Sequence, residues 1–130
     1  MVHRTDLQMR FSDTDALGHV NNVSFAAYAE AGRVEFLRRL GESVTSLILA
    51  RVSIDFRRQI AFGEELHIDT WVESLGRSSI VLGQTLWANG QRAADINSVA
   101  VHFDYGTGKP VELTPEIRRV LEPMLRPATG

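Results

Sequence analysis

The sequence contains no cysteine. That absence removes a disulfide framework, thiolate metal sites and a cysteine nucleophile together. Proline is scarce and late: Pro110, Pro115, Pro123 and Pro127 are the only four, so the first hundred residues can run as uninterrupted regular structure. Charge of one sign is lacking too. Fourteen basic side chains face sixteen acidic ones, a net charge of −2, without the concentrated basic surface a nucleic-acid partner requires. No apolar run approaches the roughly 18 residues of a membrane span, and the opening MVHRTDLQMRF has no apolar signal-peptide core. The expectation is a cytoplasmic protein with neither a nucleic-acid nor a membrane partner. None of His3, His19, His67 and His102 stands at H-x-H or H-x-x-x-H spacing, which argues against a metal site. Walker, GxGxxG and GxSxG motifs are absent as well.

What is present is 130 residues, 44% of them hydrophobic. That is one domain, 1–130, able to bury about two-thirds of its unfolded surface. So small a domain offers few deep clefts, and an active site built on it is expected to need a second subunit.

Alternation predicts a short strand over Leu7 to Phe11, then a polar loop that ends in Asn21 and Asn22, residues suited to capping a helix. A helix from about Val23 to Leu40 follows, stopped by Gly41. On a helical wheel Val23, Ala26, Ala27, Ala31, Val34 and Leu37 share one side, extended by Phe25, Ala29, Phe36 and Leu40. Tyr28, Gly32, Glu35 and Arg39 are left as a narrow polar stripe. Such a helix should be buried, with Glu30 and Arg33 paired inside the apolar arc. The period then switches to two through Ile48–Phe56, Leu66–Glu73, Ile80–Trp87 and Arg92–Tyr105, with turns at Gly63-Glu64-Glu65, Gly76-Arg77 and Asn89-Gly90. Thr114-Pro115-Glu116 opens a short last helix to about Leu121. No helices separate the later strands, which argues against parallel winding and makes an antiparallel sheet curled around one central helix the simplest architecture.

The chemistry concentrates in Asp13-Thr14-Asp15-Ala16-Leu17-Gly18-His19-Val20-Asn21-Asn22. Two carboxylates, an imidazole and two amides precede a helix whose free N–H groups and partial positive charge suit a developing oxyanion. A carboxylate there can serve as nucleophile or general base; the same residue types also serve as ordinary turn and cap residues. Glu30, a carboxylate in an apolar arc, is either a site residue or the partner of Arg33. Arg57, Arg58 and Arg77, the last followed by Ser78 and Ser79, offer guanidinium forks suited to phosphates, or simply solvated strand ends.

The segment FSDTDALGHVNNVSFAAYAEAGRVEFL, Phe11 to Leu37, resembles the opening motif of hot-dog-fold acyl-CoA thioesterases, in the branch of 4-hydroxybenzoyl-CoA thioesterase. Its GHVNN portion is similar to the plant acyl-carrier-protein thioesterases, and IDFRRQIAFGEELHIDTWVESLGRSSIVLGQ resembles the family's later strands. The resemblance implies an α+β hot-dog fold, a curved antiparallel sheet of about five strands around one long central helix. It implies homodimers assembling to homotetramers, with sites at the subunit interface. It makes Asp15 the carboxylate that attacks the thioester or activates water, and the Asn22 backbone N–H the group that polarises the carbonyl. His19 matches a histidine catalytic in the plant enzymes, and Asn21 and Asn22 match their paired asparagines. Leu17 stands where those enzymes carry asparagine, a departure that favours the simpler carboxylate scheme. Glu30 matches a helix glutamate whose role, catalytic or structural, varies. Arg57, Arg58, Arg77 and Ser78 resemble positions that hold the phosphates of coenzyme A. No metal or cofactor is implied beyond the coenzyme A of the substrate itself.

Two rivals remain. A hot-dog enoyl-CoA hydratase or dehydratase places a His five after an Asp in D-x-N-P-x-H, whereas His19 is four after Asp15 and the loop has no proline. A non-catalytic acyl-CoA-binding module has no need of Asp15 or His19. The identity of the acyl chain is open. So is coenzyme A against acyl-carrier protein, though the arginines lean to the former.

Overall fold

Inward alternation sets the sheet. In the computed structural model, which describes residues 2–41 and 46–126 and so leaves Pro127 outside, the strands are β1 (His3–Leu7), β2 (Leu47–Phe56), β3 (Leu66–Leu75), β4 (Ser79–Ala88), β5 (Gln91–Asp104) and β6 (Lys109–Pro110). Helix α1 is Asn22–Leu40 and α2 is Pro115–Leu121. Every pairing is antiparallel, in the order β1-β3-β4-β5-β2, with the two-residue β6 beside β5. Even-numbered residues of the central strands turn inward and are buried: Leu66, Ile68, Thr70 and Val72; Ile80, Leu82, Gln84 and Leu86; Ala94, Ile96, Ser98 and Ala100. The β4–β5 turn has φ of 49° at Asn89 and 75° at Gly90, the two left-handed residues of a hairpin that follows the twist of its strands. The expected hot-dog arrangement of curved sheet and helix is what forms, with a short sixth strand added.

The first strand lies earlier than alternation predicted, at His3–Leu7 rather than Leu7–Phe11. His3, Thr5 and Leu7 register against Thr70, Ile68 and Leu66 of β3. Beyond them, the Asp13 carboxylate accepts the Arg10 backbone N–H at 2.9 Å and bends Phe11–Asp13 into a 3₁₀ turn.

Helix α1 also turns its other side to the sheet. Phe25, Tyr28, Ala29, Gly32, Arg33 and Phe36 are buried, while Val23, Ala26, Ala27, Ala31 and Val34 face outward. Two members of the expected polar stripe, Tyr28 and Gly32, therefore face the core. Gly32 explains why. A Cβ there would come within 2.5 Å of Ile68 Cγ2 and 3.0 Å of Gln84 Nε2, so the helix backbone approaches the sheet along that line. The expected Glu30–Arg33 pair does not form among the described residues. Glu30 is exposed, and Arg33 turns inward to place Nη1 3.4 Å from Ser98 Oγ. Burial pulls the Arg33 guanidinium pKa below its ordinary value, against the opposing charge of Glu30.

α1 packs mainly on β1, β3 and β4. At the uncovered edge, Leu49, Val52 and Phe56 of β2 stay exposed. α2 is capped by Thr114, whose Oγ1 accepts the Ile117 N–H at 3.1 Å. It seats Ile117 and Leu121 against Phe36, Val72, Ile80 and Leu82, closing the far end of the core. Gly32→Ala should test the close approach. Alanine gains about 1 kcal/mol of helix propensity, but overpacking against a β-branched core side chain costs about 1–3 kcal/mol. A net loss of stability is expected in urea unfolding, and a gain would refute this account of the packing.

Candidate active site

The loop between β1 and α1 is a tight hairpin fastened on three sides. The Asp15 N–H donates to the His19 carbonyl at 2.7 Å, and the Gly18 N–H to the Asp15 carbonyl at 3.2 Å. Gly18, at φ 84°, supplies the left-handed residue at the tip. The Val20 N–H reaches the Ile60 carbonyl at 2.8 Å and the Phe62 N–H reaches the Gly18 carbonyl at 3.1 Å, strapping the loop to the segment after β2. On the helix side the Asn21 N–H donates to the Asp13 carbonyl at 3.0 Å. Asn21 caps α1 as expected, its Oδ1 accepting the Ser24 N–H at 2.8 Å. Asn22 is the first residue of α1, and among the described residues its N–H meets no acceptor.

Two aspartates in this loop have opposite surroundings. Asp15 is exposed. Its Oδ1 accepts the Leu17 N–H at 2.8 Å and the His19 N–H at 3.1 Å, while Oδ2 has no donor among the described residues. The His19 and then the Leu17 amide hold its carboxyl below the ordinary 3.8, so it is an anion at neutral pH. Asp13 is buried, 2% exposed. It accepts the Tyr28 hydroxyl at 2.7 Å and Arg10 Nη2 at 2.9 Å besides the Arg10 amide. Burial pushes its pKa up, but the Arg10 amide, the Tyr28 hydroxyl and the Arg10 guanidinium together outweigh burial and leave it lowered. Burial, then the bond to Asp13, drives the Tyr28 hydroxyl well above its usual range.

Asp15, His19, Asn21 and Asn22 line an open cavity of about 440 Å³, faced by Phe25, Phe56, Arg57 and Arg58. Phe25 and Phe56 meet edge to face with centroids 5.0 Å apart, giving the cavity an apolar wall. A larger groove of about 730 Å³ lies between Arg4, Glu65 and Asn89, but none of the candidate catalytic or coenzyme A-binding residues lines it. The 440 Å³ cavity joins an ionised carboxylate to an open helix N-terminus, which the 730 Å³ groove does not.

Six of the nine sequence-predicted residues thus converge. Glu30 does not; it lies eight residues along α1 from Asn22, about 12 Å of helical rise. Arg77 and Ser78 sit at the other end of the sheet, a β4 length away, roughly 30 Å. The two arginines at the cavity are already engaged. Arg57 Nε lies 3.0 Å from Asp95 Oδ2. Arg58 forms a two-pronged pair with Glu64, at 2.5 and 3.2 Å, whose Oε2 also accepts the Ala61 N–H at 2.6 Å. Arg58 therefore braces the strap under the loop. Sequence reasoning counted Asp13 among the loop carboxylates without giving it a role of its own, and missed Tyr28 and the Phe25–Phe56 wall. The available signal was Gly32, since a mid-helix glycine marks the line of closest approach and Tyr28 stands one turn before it.

Known proteins share this fold and sequence pattern. A family model described as the thioesterase-like superfamily matches residues 9–121. A predicted thioesterase from Bacillus stearothermophilus superposes with a TM-score of 0.91 at 27% identity, covering 99% of this chain and 100% of that one. A thioesterase from Thermus thermophilus, solved with coenzyme A and Zn, superposes with a TM-score of 0.88 at 32% identity, covering 96% of each chain. The long-chain acyl-CoA thioesterase FadM of Escherichia coli is 27% identical over 131 residues, 95% of this chain and 99% of its own. The chain belongs to the thioesterase-like superfamily, as the Phe11–Leu37 motif implied, and its class of chemistry is thioester hydrolysis.

Proposed function

We propose that this chain hydrolyses acyl-CoA thioesters to the free acid and coenzyme A, with Asp15 as nucleophile or general base. The observation that carries the reading is the Asp15 carboxylate, pinned through Oδ1 with Oδ2 free, in one cavity with the open N-terminus of α1. The carbonyl oxygen faces the Asn22 N–H, where the helix end offsets its growing negative charge. Oδ2 then either attacks the carbonyl carbon, forming an acyl-aspartate anhydride that water cleaves, or takes a proton from the attacking water. In both courses the C–S bond breaks and the thiolate of coenzyme A leaves with a proton. The Phe25–Phe56 wall offers the acyl side of the site. FadM and the Thermus enzyme, by their names, support coenzyme A as the carrier.

A second copy of the chain completes the site in this reading. One chain leaves the cavity open beside the exposed β2 edge, and holds Arg77 and Ser78 a sheet length from Asp15. A second copy seated on β2 and the outer face of α1 brings its own Arg77 and Ser78 to the coenzyme A phosphates, and Glu30 falls at that interface rather than at the reacting atoms. Pairs assembling to tetramers, and a cytoplasmic location, belong to the same proposal; no helix among the described residues is long and apolar enough to cross a membrane.

The test is thiol release from a panel of acyl-CoAs. Turnover is expected with at least one acyl class, and acyl-CoA binding without thiol release would overturn the proposal. The acid limb gives a finer check. Asp15 works ionised and its carboxyl lies below 3.8. Activity should therefore persist above that range and fall only as pH drops through the folded value. A limb centred near neutrality would give the role of base to another group.

A further inference from the structure

Burying a carboxylate is costly unless its lone pairs are met, and Asp13 is buried although it does not line the catalytic cavity. Its carboxylate and Tyr28 border a separate groove of about 380 Å³ on the opposite flank of α1, between that helix and β1. What Asp13 does is tie. Its side chain accepts the Tyr28 hydroxyl from the buried face of α1 and the Arg10 amide and guanidinium from the chain entering the loop. Its main-chain carbonyl accepts both the Asn21 N–H and Ser24 Oγ, each at 3.0 Å. Asp13 is thus fastened to α1 through side chain and backbone at once, and only Thr14 separates it from Asp15. Thr14 is itself fixed, its Oγ1 donating to the Phe11 carbonyl at 2.7 Å.

We infer that Tyr28 and Asp13 form a positioning clamp that fixes the Asp15 carboxylate relative to the N-terminus of α1. The catalytic consequence rests on the hydrolase reading; the mechanical one does not. The spacing between Asp15 and the Asn22 N–H decides how a carbonyl between them is attacked, and small misplacements of such groups reduce turnover steeply. Val20 anchors the end of the loop in the main core, but the exposed stretch around Asp15 has no apolar anchor and its position depends on hydrogen bonds. The Tyr28–Asp13 bond involves an ionised acceptor and ties the Asp13 carboxylate to the buried face of α1, where the buried Ser24 hydroxyl reaches the main-chain carbonyl instead.

Tyr28→Phe removes that bond and keeps the ring. Hydrogen exchange at the Asp15, Val20 and Asn21 amides should speed up by roughly 10-fold to 100-fold, the range for losing one charge-assisted bond, while β4 and β5 amides keep their protection. In thiol release, kcat should fall by a similar factor with KM little changed. Asp13→Ala removes the same bond together with those from Arg10 and should lose at least as much, and the double variant should be no worse than Asp13→Ala alone, because Tyr28→Phe then has no bond left to break. Thr114→Ala, which weakens the cap of the distant α2, controls for plain destabilisation and should leave kcat and loop exchange unaltered. Loop amides as protected in Tyr28→Phe as in the parent, or protection lost evenly over the sheet, would overturn the clamp. If the parent chain releases no thiol from any acyl-CoA, the hydrolase reading falls while the exchange measurement still decides the clamp.

Discussion

Asp15→Asn should lower thiol release from acyl-CoA by on the order of a thousandfold, within the range for removing a catalytic base or nucleophile. The substitution isolates the chemistry from the architecture. Asparagine keeps a side-chain oxygen where Oδ1 accepts the Leu17 and His19 amides, so the hairpin stays closed. Asp15 is exposed, so the core is untouched. What disappears is the negative charge on Oδ2. KM should change little, because the proposed binding mode holds the phosphates and pantetheine away from Asp15. Turnover within tenfold of the parent would move the reaction to another group, of which His19 is the nearest in the cavity. Asp15→Ala is the harsher companion: it also frees the two amides, so a further loss beyond Asp15→Asn reports what the hairpin contributes.

The second large effect is expected from a residue far from the chemistry. Val34 lies on the outer face of α1, 56% exposed, and Val23 on the same face is 78% exposed. Leu49, Val52 and Phe56 of β2 are exposed as well, and large apolar side chains left in solvent on neighbouring elements are the kind of surface a partner covers. Val34→Arg is harmless to an isolated chain, because an exposed helix position accepts arginine readily. It buries an unpaired charge if a second copy covers the face, which no interface tolerates cheaply. The expected result is a chain of monomer mass, 14.5 kDa, with the circular dichroism of the parent and little or no thiol release. A variant that assembles and turns over like the parent would remove α1 from the interface.

The sheet was legible in the sequence almost strand by strand, because a sheet with one buried face leaves period-two alternation that burial enforces. The turns were legible for the same kind of reason. Asn89-Gly90 is chemistry that only a left-handed pair accepts. Strand β1 was misplaced because five residues carry too little alternation to outvote a neighbouring run, and its register is set by β3, far along the chain. The orientation of α1 was missed for a deeper reason. Its outward side is as apolar as its inward side, so hydrophobicity could not choose between them. The deciding quantity was volume, through Gly32. Within the site, Asp15, His19, Asn21 and Asn22 were legible because they lie close together along one short loop. The separation of Arg77 and Ser78 from them depends on which strands become neighbours, and a local pattern does not encode that; the pairing of Arg58 with Glu64 is local, six residues apart, but follows the path of an irregular connection that alternation does not describe.

The off-centre seat of α1, mainly over β1, β3 and β4 with Leu49 and Val52 of β2 left exposed, has a consequence in mass action. If the cavity closes only when a second chain arrives, a substrate lying across the seam binds the pair and not the single chain. Substrate and assembly are then linked ligands: each raises the apparent affinity of the other by the same factor. Dilution would weaken substrate binding, and saturating acyl-CoA would hold together pairs that otherwise separate. Specific activity would then follow the protein's own concentration, so the amount of chain made sets not only how many sites exist but how well each one binds.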